Sequence, residues 1–219
     1  MKRKIGLASL ALLLIAAMCM PVSAWSANTH QDSAFIAMNH GGSSGLASTA
    51  KYAADDPDSW AGDFLFHGGS QAGTRANQYA ITAKALYAVN HNDQNWAKNY
   101  GYATHYMTDQ SMPWHSNALF WPDRGDQSGH DKLEILVANN LHPEVYAAMD
   151  SAGSNFVVTP GATCDAEGTY SSGYTTFFIA QMVANPSGWQ DDYYVKATLR
   201  NLLSDATANN RGMLAWVKG

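Results

Sequence analysis

Five residues between His105 and Glu134 have the types and the spacing of metal ligands. His105 and Asp109 are four residues apart, and so are His130 and Glu134. In a helix this spacing puts both side chains of a pair on one face, one turn apart. His115 follows a Met-Pro-Trp sequence whose proline indicates that the first helix has ended. The segment therefore predicts a helix with two ligands, a loop with a third, and a second helix with two more.

The ligand types favour a catalytic metal site over a structural one. One pair of histidine and carboxylate at this spacing is ordinary on a helix surface. Two such pairs within thirty residues, with a third histidine between them, are much harder to explain as ordinary surface residues. Imidazole nitrogen and carboxylate oxygen, without thiolate, suit zinc that keeps an open or water-filled position. We therefore expect these side chains to bind zinc.

Further candidate ligands lie upstream, at His30, Asp55 and His67. Each of them alone is more often an ordinary helix-start, loop or surface residue than a functional one. Three other acids in the same stretch compete with Asp55: Asp56, Asp58 and Asp63. Residue type alone leaves this choice open.

The chain begins with the pattern of a secretory signal peptide. Residues 2–4 are basic, residues 5–20 are apolar, and residues 22–24 form a small-residue cleavage site. We therefore expect residues 1–24 to be removed, Trp25 to start the exported chain, and the protein to be secreted and extracellular. Lipidation at Cys19 is the alternative, but the preceding residues fit a lipobox poorly. Removal of Cys19 leaves Cys164 alone, so no disulfide can form within the chain.

The charge balance argues against a nucleic-acid partner. The chain has 18 acidic and 13 basic residues, and three of the basic ones belong to the leader. An acidic protein lacks the broad positive field that attracts a phosphate backbone. We expect a monomer without a stable nucleic-acid partner, in which divalent metal offsets part of the negative charge.

Apolar periodicity predicts an all-α protein, a single-domain helical bundle over residues 25–219. The predicted helices cover about 29–38, 46–54, 74–89, 95–110, 128–140, 143–149, 177–184 and 191–217. Residues 209–212 could kink or divide the last helix. Residues 151–174, rich in Gly, Ser and Thr, are predicted to form a long loop with two short strands. Cys164 would be a passive thiol in that loop.

The ligand residues resemble those of the zinc-dependent phospholipase C family, which shares its fold with the fungal single-strand-specific zinc nucleases. The family motif H-x3-D-x5-H matches His105, Asp109 and His115, and the H-x3-E of the phospholipase branch matches His130 and Glu134. Upstream, a Tyr-Ala-Ala-Asp motif ends at Asp55, and His67 follows twelve residues later. The mature proteins of this family also begin with tryptophan, as Trp25 does here. The resemblance covers Trp25 to about Glu134.

The resemblance implies a three-zinc site in a helical bundle of the phospholipase and nuclease type. It assigns the first zinc to Asp55, His67, His105 and Asp109, the second to His115, His130 and Glu134, and the third to the Trp25 terminus, His30 and Asp109. Asp109 would bridge two ions. Asp55 is the candidate for orienting or deprotonating the attacking water.

The chain departs from the family pattern at one position and combines features of the two branches. Thr108 stands where the family usually has glycine, and the short interval from Trp25 to His30 resembles the nucleases. Glu134 and the short interval from His115 to His130 resemble the phospholipases. We therefore expect a phospholipase C acting on phospholipids at a transient membrane contact. A zinc nuclease and a non-catalytic secreted zinc-binding protein are the alternatives. Trp114, beside the ligands, could pack in the core or touch the membrane.

Overall fold

The computed structural model describes residues 25–115 and 127–219, so the predicted signal peptide lies outside the described residues. Nine α-helices occupy these ranges: α1 Ala27–His40, α2 Ala47–Ala53, α3 Gly69–Val89, α4 Gln94–Asp109, α5 Gln127–Leu136, α6 His142–Asp150, α7 Pro160–Ser172, α8 Thr175–Ala184 and α9 Tyr193–Lys218. A π-helical turn, Val137–Leu141, joins α5 to α6, and short 3-10 turns connect other helices. No strand occurs in these two ranges, and the predicted all-α class is confirmed for them.

The longest helix, α9, is the centre of the packing. It contacts five other helices, α1, α3, α4, α6 and α7. Its first half contributes Leu199 and Leu202 to one buried cluster, and its second half contributes Met213 and Leu214 to another. Full burial of one such side chain contributes about 1.5–3 kcal/mol. The helix is continuous through residues 209–212, where the sequence allowed a kink or a break.

The helix that carries His105 and Asp109 is held very close to α2. Gly101 in α4 lies against the Ala50 carbonyl, and a Cβ built at Gly101 would be only 2.5 Å from that oxygen. Asp93 caps the start of α4, because its Oδ1 atom accepts a hydrogen bond from the Asn95 amide at 2.8 Å. The prediction for this helix is confirmed to within one residue at each end. The close packing brings the chain that follows α2 beside the ligands of α4.

The prediction of a loop with strands over residues 151–174 is wrong, because α7 fills its second half. The side chain of Thr159 accepts a hydrogen bond from the Ala162 amide, and Pro160 occupies the first helical position. Glycines allow α7 to approach α3, where a Cβ at Gly161 would lie 2.9 Å from the Gly73 carbonyl oxygen. Cys164 is accordingly buried in a helix and donates to the Tyr106 carbonyl at 3.5 Å.

Two further predictions concern the position of Trp114 and the presence of membrane-spanning helices. Trp114 is buried, and its ring centroid lies 6.2 Å from that of Phe178, so it packs in the core. Across the two described ranges, none of the helices combines the length and the apolar character needed to cross a bilayer.

Candidate metal centre

The centre of the site is Asp109, at the end of α4. As the spacing predicted, Asp109 and His105 face each other across one helical turn, with the Nε2 atom of His105 3.2 Å from the Oδ2 atom of Asp109. His67, which follows the 3-10 turn Asp63–Phe66, places its Nδ1 atom 2.9 Å from the same oxygen. The two ring nitrogens are 3.3 Å apart. All three side chains are buried, and their donor atoms form one group within 4.8 Å.

The second oxygen of Asp109 faces a different helix. Its Oδ1 atom lies 3.3 Å from the Nε2 atom of His30 in α1, and the His30 ring stacks on that of His105 with centroids 4.3 Å apart. Each oxygen of this carboxylate therefore faces its own set of imidazole nitrogens. This is the arrangement that a carboxylate needs to bridge two cations.

Asp58 joins this group, whereas Asp55 does not. The Oδ1 atom of Asp58 lies 3.4 Å from the Nδ1 atom of His67 and 3.6 Å from the Nε2 atom of His105. Asp58 also belongs to a donor group with His30 and His105. Asp55 precedes the 3-10 turn Asp56–Ser59 and is in none of the donor groups formed by the described residues. The turn, with its buried Pro57, carries the chain far enough for Asp58 to reach the histidines.

A second donor group forms around His130 in α5. The Nε2 atoms of His115 and His130 are 3.0 Å apart, and their rings stack with centroids separated by 5.1 Å. His130 also forms a donor group with Asp131 and Glu134. The structure thus brings His115 to His130 and His130 to Glu134, and it adds Asp131, which the sequence analysis did not single out.

Two glycines connect the two donor groups. The Nδ1 atom of His115 lies 3.0 Å from the His67 carbonyl oxygen, and the Gly69 amide donates to the His115 carbonyl at 2.9 Å. A Cβ at Gly68 would lie 2.6 Å from that carbonyl oxygen, and Gly69 has a φ of +57°. From the sequence, two adjacent glycines indicate only a turn or loop. The glycines instead let the His67 and His115 segments lie in contact.

Four of the site histidines have one ring nitrogen against an oxygen and the other facing the donor cluster. The oxygen contacts are His105 Nδ1 to Ala54 O at 2.8 Å, His67 Nε2 to Asp63 Oδ2 at 3.2 Å, His115 Nδ1 to His67 O at 3.0 Å and His130 Nδ1 to Asp131 Oδ1 at 3.2 Å. A neutral ring that donates to the oxygen presents a lone pair at its second nitrogen. Metal-binding histidines are normally oriented in this way.

Opposing effects decide the charges around Asp109. Burial alone would raise the pKa of Asp109, but the His105 and His67 rings bring it well below its ordinary value. Burial would lower the pKa of His67, but Asp109 raises it to about 10. For His30, burial and the neighbouring His105 lower the pKa well below its ordinary value. Asp109 is therefore ionised, and His30 is a neutral ring able to donate a lone pair.

In the group formed by His115, His130 and Glu134, burial favours the neutral form of each side chain. Burial and the neighbouring His130 lower the pKa of His115 to about 3, and burial lowers the pKa of His130 as well. Burial and the nearby Asp131 raise the pKa of Glu134 to about 7. Without a cation the two histidines are neutral and Glu134 keeps its proton below about pH 7, and a bound cation would displace that proton.

Several buried donor atoms around Asp109 have surroundings that a bound cation would explain. Both oxygens of Asp109 and the Nε2 atom of His30 are buried and have imidazole nitrogens or carboxylate oxygens as neighbours, at 2.9–3.3 Å, without a well-aligned hydrogen bond. Buried polar atoms normally have partners, and a cation would supply one to each of these. Nitrogen and oxygen donors without sulfur are a set that zinc accepts. The buried His and Asp groups can therefore hold metal ions.

Trp25 lies beside this site. Its side chain is buried, and its indole Nε1 atom donates to the Ser111 hydroxyl at 3.0 Å, just past the end of α4. The use of its amino group and carbonyl as ligands stays a prediction. The contact between Asp63 and His67, four residues apart, was not predicted, and neither was a role for Tyr106, which directly follows His105. The Asp63 spacing was a usable signal, since the sequence analysis relied on the same spacing elsewhere.

No protein-family model matches this chain, and no curated protein matches it.

Proposed function

We propose that this chain is a secreted zinc-dependent phosphodiesterase of the phospholipase C type. The observation that carries the proposal is the double-sided environment of Asp109. One of its oxygens faces His67 and His105, and the other faces His30. Together with the His115 and His130 pair, this favours several cations close together among largely buried side chains. The resemblance to the zinc-dependent phospholipases C supports zinc as the cation and three as the number of ions.

Phosphodiester hydrolysis fits such a site because the reaction needs concentrated positive charge and a reactive water at neutral pH. Zinc bound here would supply Lewis acidity to phosphoryl oxygens and would lower the pKa of water. The chain's own part is to hold the donors rigidly and to accept a proton. Asp58 is our candidate acceptor in place of Asp55, because its side chain is 17% exposed whereas His105 and Asp109 are fully buried. It therefore lies where the buried donors meet solvent.

Glu134 supports a phospholipid over a nucleic-acid substrate. It shares a donor group with His130, and the resembling nucleases use an aspartate after a longer loop. The acidic composition also disfavours a polyanionic partner. The short interval from Trp25 to His30, together with residues 33–37, favours the nuclease branch, and a single-strand zinc nuclease is the second candidate. We propose that the enzyme is a monomer that meets phospholipid at a transient membrane contact.

The test begins with the exported protein. Its N-terminal residue and its zinc content are measured, and its activity is assayed in parallel on phosphatidylcholine vesicles and on single-stranded RNA. We expect Trp25 at the terminus, bound zinc, and release of diacylglycerol that stops on chelation and returns with zinc. Activity on RNA alone would support the nuclease. Zinc without activity on either substrate would support a binding protein, and absence of zinc would refute the metal centre itself.

A further inference from the structure

We propose that the buried side chains of Asp63 and Tyr106 orient the His67 ring for metal binding. Neither residue belongs to the ligand set that the sequence and its family resemblance predict. The inference rests on the proposed metal centre and concerns residues behind it. Asp63 is in none of the donor groups formed by the described residues, so its role is to act through His67.

The contacts around Asp63 are short and converge on one oxygen. The Oδ2 atom of Asp63 lies 3.2 Å from the Nε2 atom of His67 and accepts the Tyr106 hydroxyl hydrogen bond at 2.5 Å. Its Oδ1 atom lies 3.8 Å from the Arg75 guanidinium. Asp63 is only 4% exposed. A buried carboxylate with this surrounding is fixed in orientation, and so is the ring that it contacts.

This orientation has a chemical consequence at the other side of the ring. Tyr106 uses its only proton to donate to Asp63, so the hydrogen between Asp63 and His67 must come from Nε2 of the ring. Its Nδ1 atom faces Asp109 at 2.9 Å and Asp58 at 3.4 Å, and a cation bound there would displace the Nδ1 proton and take the lone pair of the neutral ring. A carboxylate in this position fixes the tautomer and increases the basicity of the ligand nitrogen.

His67 differs in this respect from the other site histidines. His105 and His115 are held by backbone carbonyl oxygens, and His130 contacts Asp131, whose side chain is 52% exposed. Among the described site histidines, His67 alone has a buried carboxylate behind it. A charged, desolvated acceptor acts more strongly than a neutral carbonyl or an exposed carboxylate. We therefore expect Asp63 to set the affinity of the His67 subsite specifically.

The test compares zinc affinity and a cobalt spectrum in three variants. Asp63→Asn keeps the shape but removes the charge, and Tyr106→Phe removes only the hydroxyl that fixes Asp63. Asp191→Asn is the charge-matched control, because Asp191 is 81% exposed and lies in the turn Trp189–Asp191, which holds none of the donors. Zinc affinity is measured by chelator competition, and the visible absorption of the cobalt-loaded protein reports the ligand field at the metal.

We expect Asp63→Asn to weaken zinc binding at one subsite by about 10–100-fold and to shift the cobalt bands. Tyr106→Phe should give a smaller change in the same direction, and Asp191→Asn should give none. Wild-type affinity and an unshifted spectrum in Asp63→Asn would overturn the inference. If that variant does not fold, Tyr106→Phe decides in the same way, with no change counting against the proposal. Failure of the wild-type protein to bind zinc would instead overturn the proposed function.

Discussion

The Oδ1 atom of Asp58 lies 3.4 Å from the Nδ1 atom of His67, although the two residues are nine positions apart in the sequence. This contact gives Asp58 the position that the family resemblance assigned to Asp55. The chain between Ala53 and His67 has two 3-10 turns, and the first of them moves Asp58 toward the buried histidines. The identity of the acid was open on residue type, and these distances favour Asp58 over Asp55 as the candidate.

Replacement of Asp58 should therefore be far more damaging than replacement of Asp55. We expect Asp58→Asn to reduce phosphodiester hydrolysis by about 10²-fold or more, because a carboxylate that binds metal or accepts a proton is lost. Asp55→Asn removes the same charge three residues earlier and should keep near-normal activity. The measurement is the hydrolysis rate of each variant at saturating zinc, with bound zinc determined in parallel. The reverse order of effects would restore Asp55 as the ligand.

Gly68 should be essential for holding His115 in place. A methyl group at Gly68 would lie 2.6 Å from the His115 carbonyl oxygen, a backbone atom that the Gly69 hydrogen bond already fixes. We expect Gly68→Ala to displace the His115 segment, to weaken zinc binding at the His115 and His130 pair, and to destabilise the protein by about 1–3 kcal/mol. Zinc content and thermal unfolding of the same samples measure both effects.

Gly45→Ala is the matched control for Gly68→Ala. A methyl group at Gly45 would have no described atom within 4 Å beyond its chain neighbours, and the φ of Gly45 is not positive. Its substitution should leave zinc content unchanged and alter stability by less than about 1 kcal/mol. Normal zinc content in Gly68→Ala would mean that the two segments separate without affecting the ligands.

The sequence predicted the parts of this site that depend on one helix. His105 and Asp109 share a helical face because the spacing requires it, and the predicted bounds 95–110 agree with α4, Gln94–Asp109, to within one residue. Contacts between separate segments could not be predicted from spacing, and the approach of Asp58 to His67 and His105 is such a contact. The helix α7 was missed for another reason. Its buried face is made of small residues such as Gly161, which give little apolar periodicity although they allow close packing.

Asn210 should be important for stability because it ties α9 to both helices that carry first-group ligands. Its Nδ2 atom donates to the Ser33 hydroxyl at 2.8 Å and to the Thr108 hydroxyl at 3.1 Å. Ser33 is one turn after His30 in α1, and Thr108 directly precedes Asp109 in α4. We expect Asn210→Ala to lower the free energy of unfolding by about 2–4 kcal/mol, since it leaves a cavity and buried hydroxyls without their donor.

Asn201→Ala makes the same chemical change on an exposed position of α9. It should change the free energy of unfolding by less than about 0.5 kcal/mol, because exposed surface substitutions usually do. Denaturant unfolding of both zinc-free proteins isolates the packing effect from metal binding. Equal stability of the two variants would show that the Asn210 hydrogen bonds contribute nothing beyond those made with water.

Glu167 in α7 should make the stability of the protein fall as the pH rises toward 8. Its side chain is only 3% exposed, and its Oε2 atom accepts a hydrogen bond from the Asn209 amide at 2.8 Å. Burial, with a smaller effect of Asp205, raises the pKa of Glu167 from 4.5 to about 8. Between these two values the folded protein keeps a proton that the unfolded chain has lost. The stabilisation is therefore complete below pH 4.5 and disappears as the pH passes 8.

Glu167→Gln removes this ionisation and nearly keeps the shape. We expect the variant to match the wild type near pH 4.5 and to exceed its stability near pH 8 by on the order of 2–3 kcal/mol. The free energy of unfolding of the zinc-free proteins, measured across this pH range, gives the difference directly. Glu144→Gln removes a carboxylate from an exposed ion pair with Arg200 and is the control; it should change the stability near pH 8 by less than about 1 kcal/mol. A flat difference for Glu167→Gln would mean that Glu167 is ionised in the folded protein, and that water or a cation reaches its Oε1 atom.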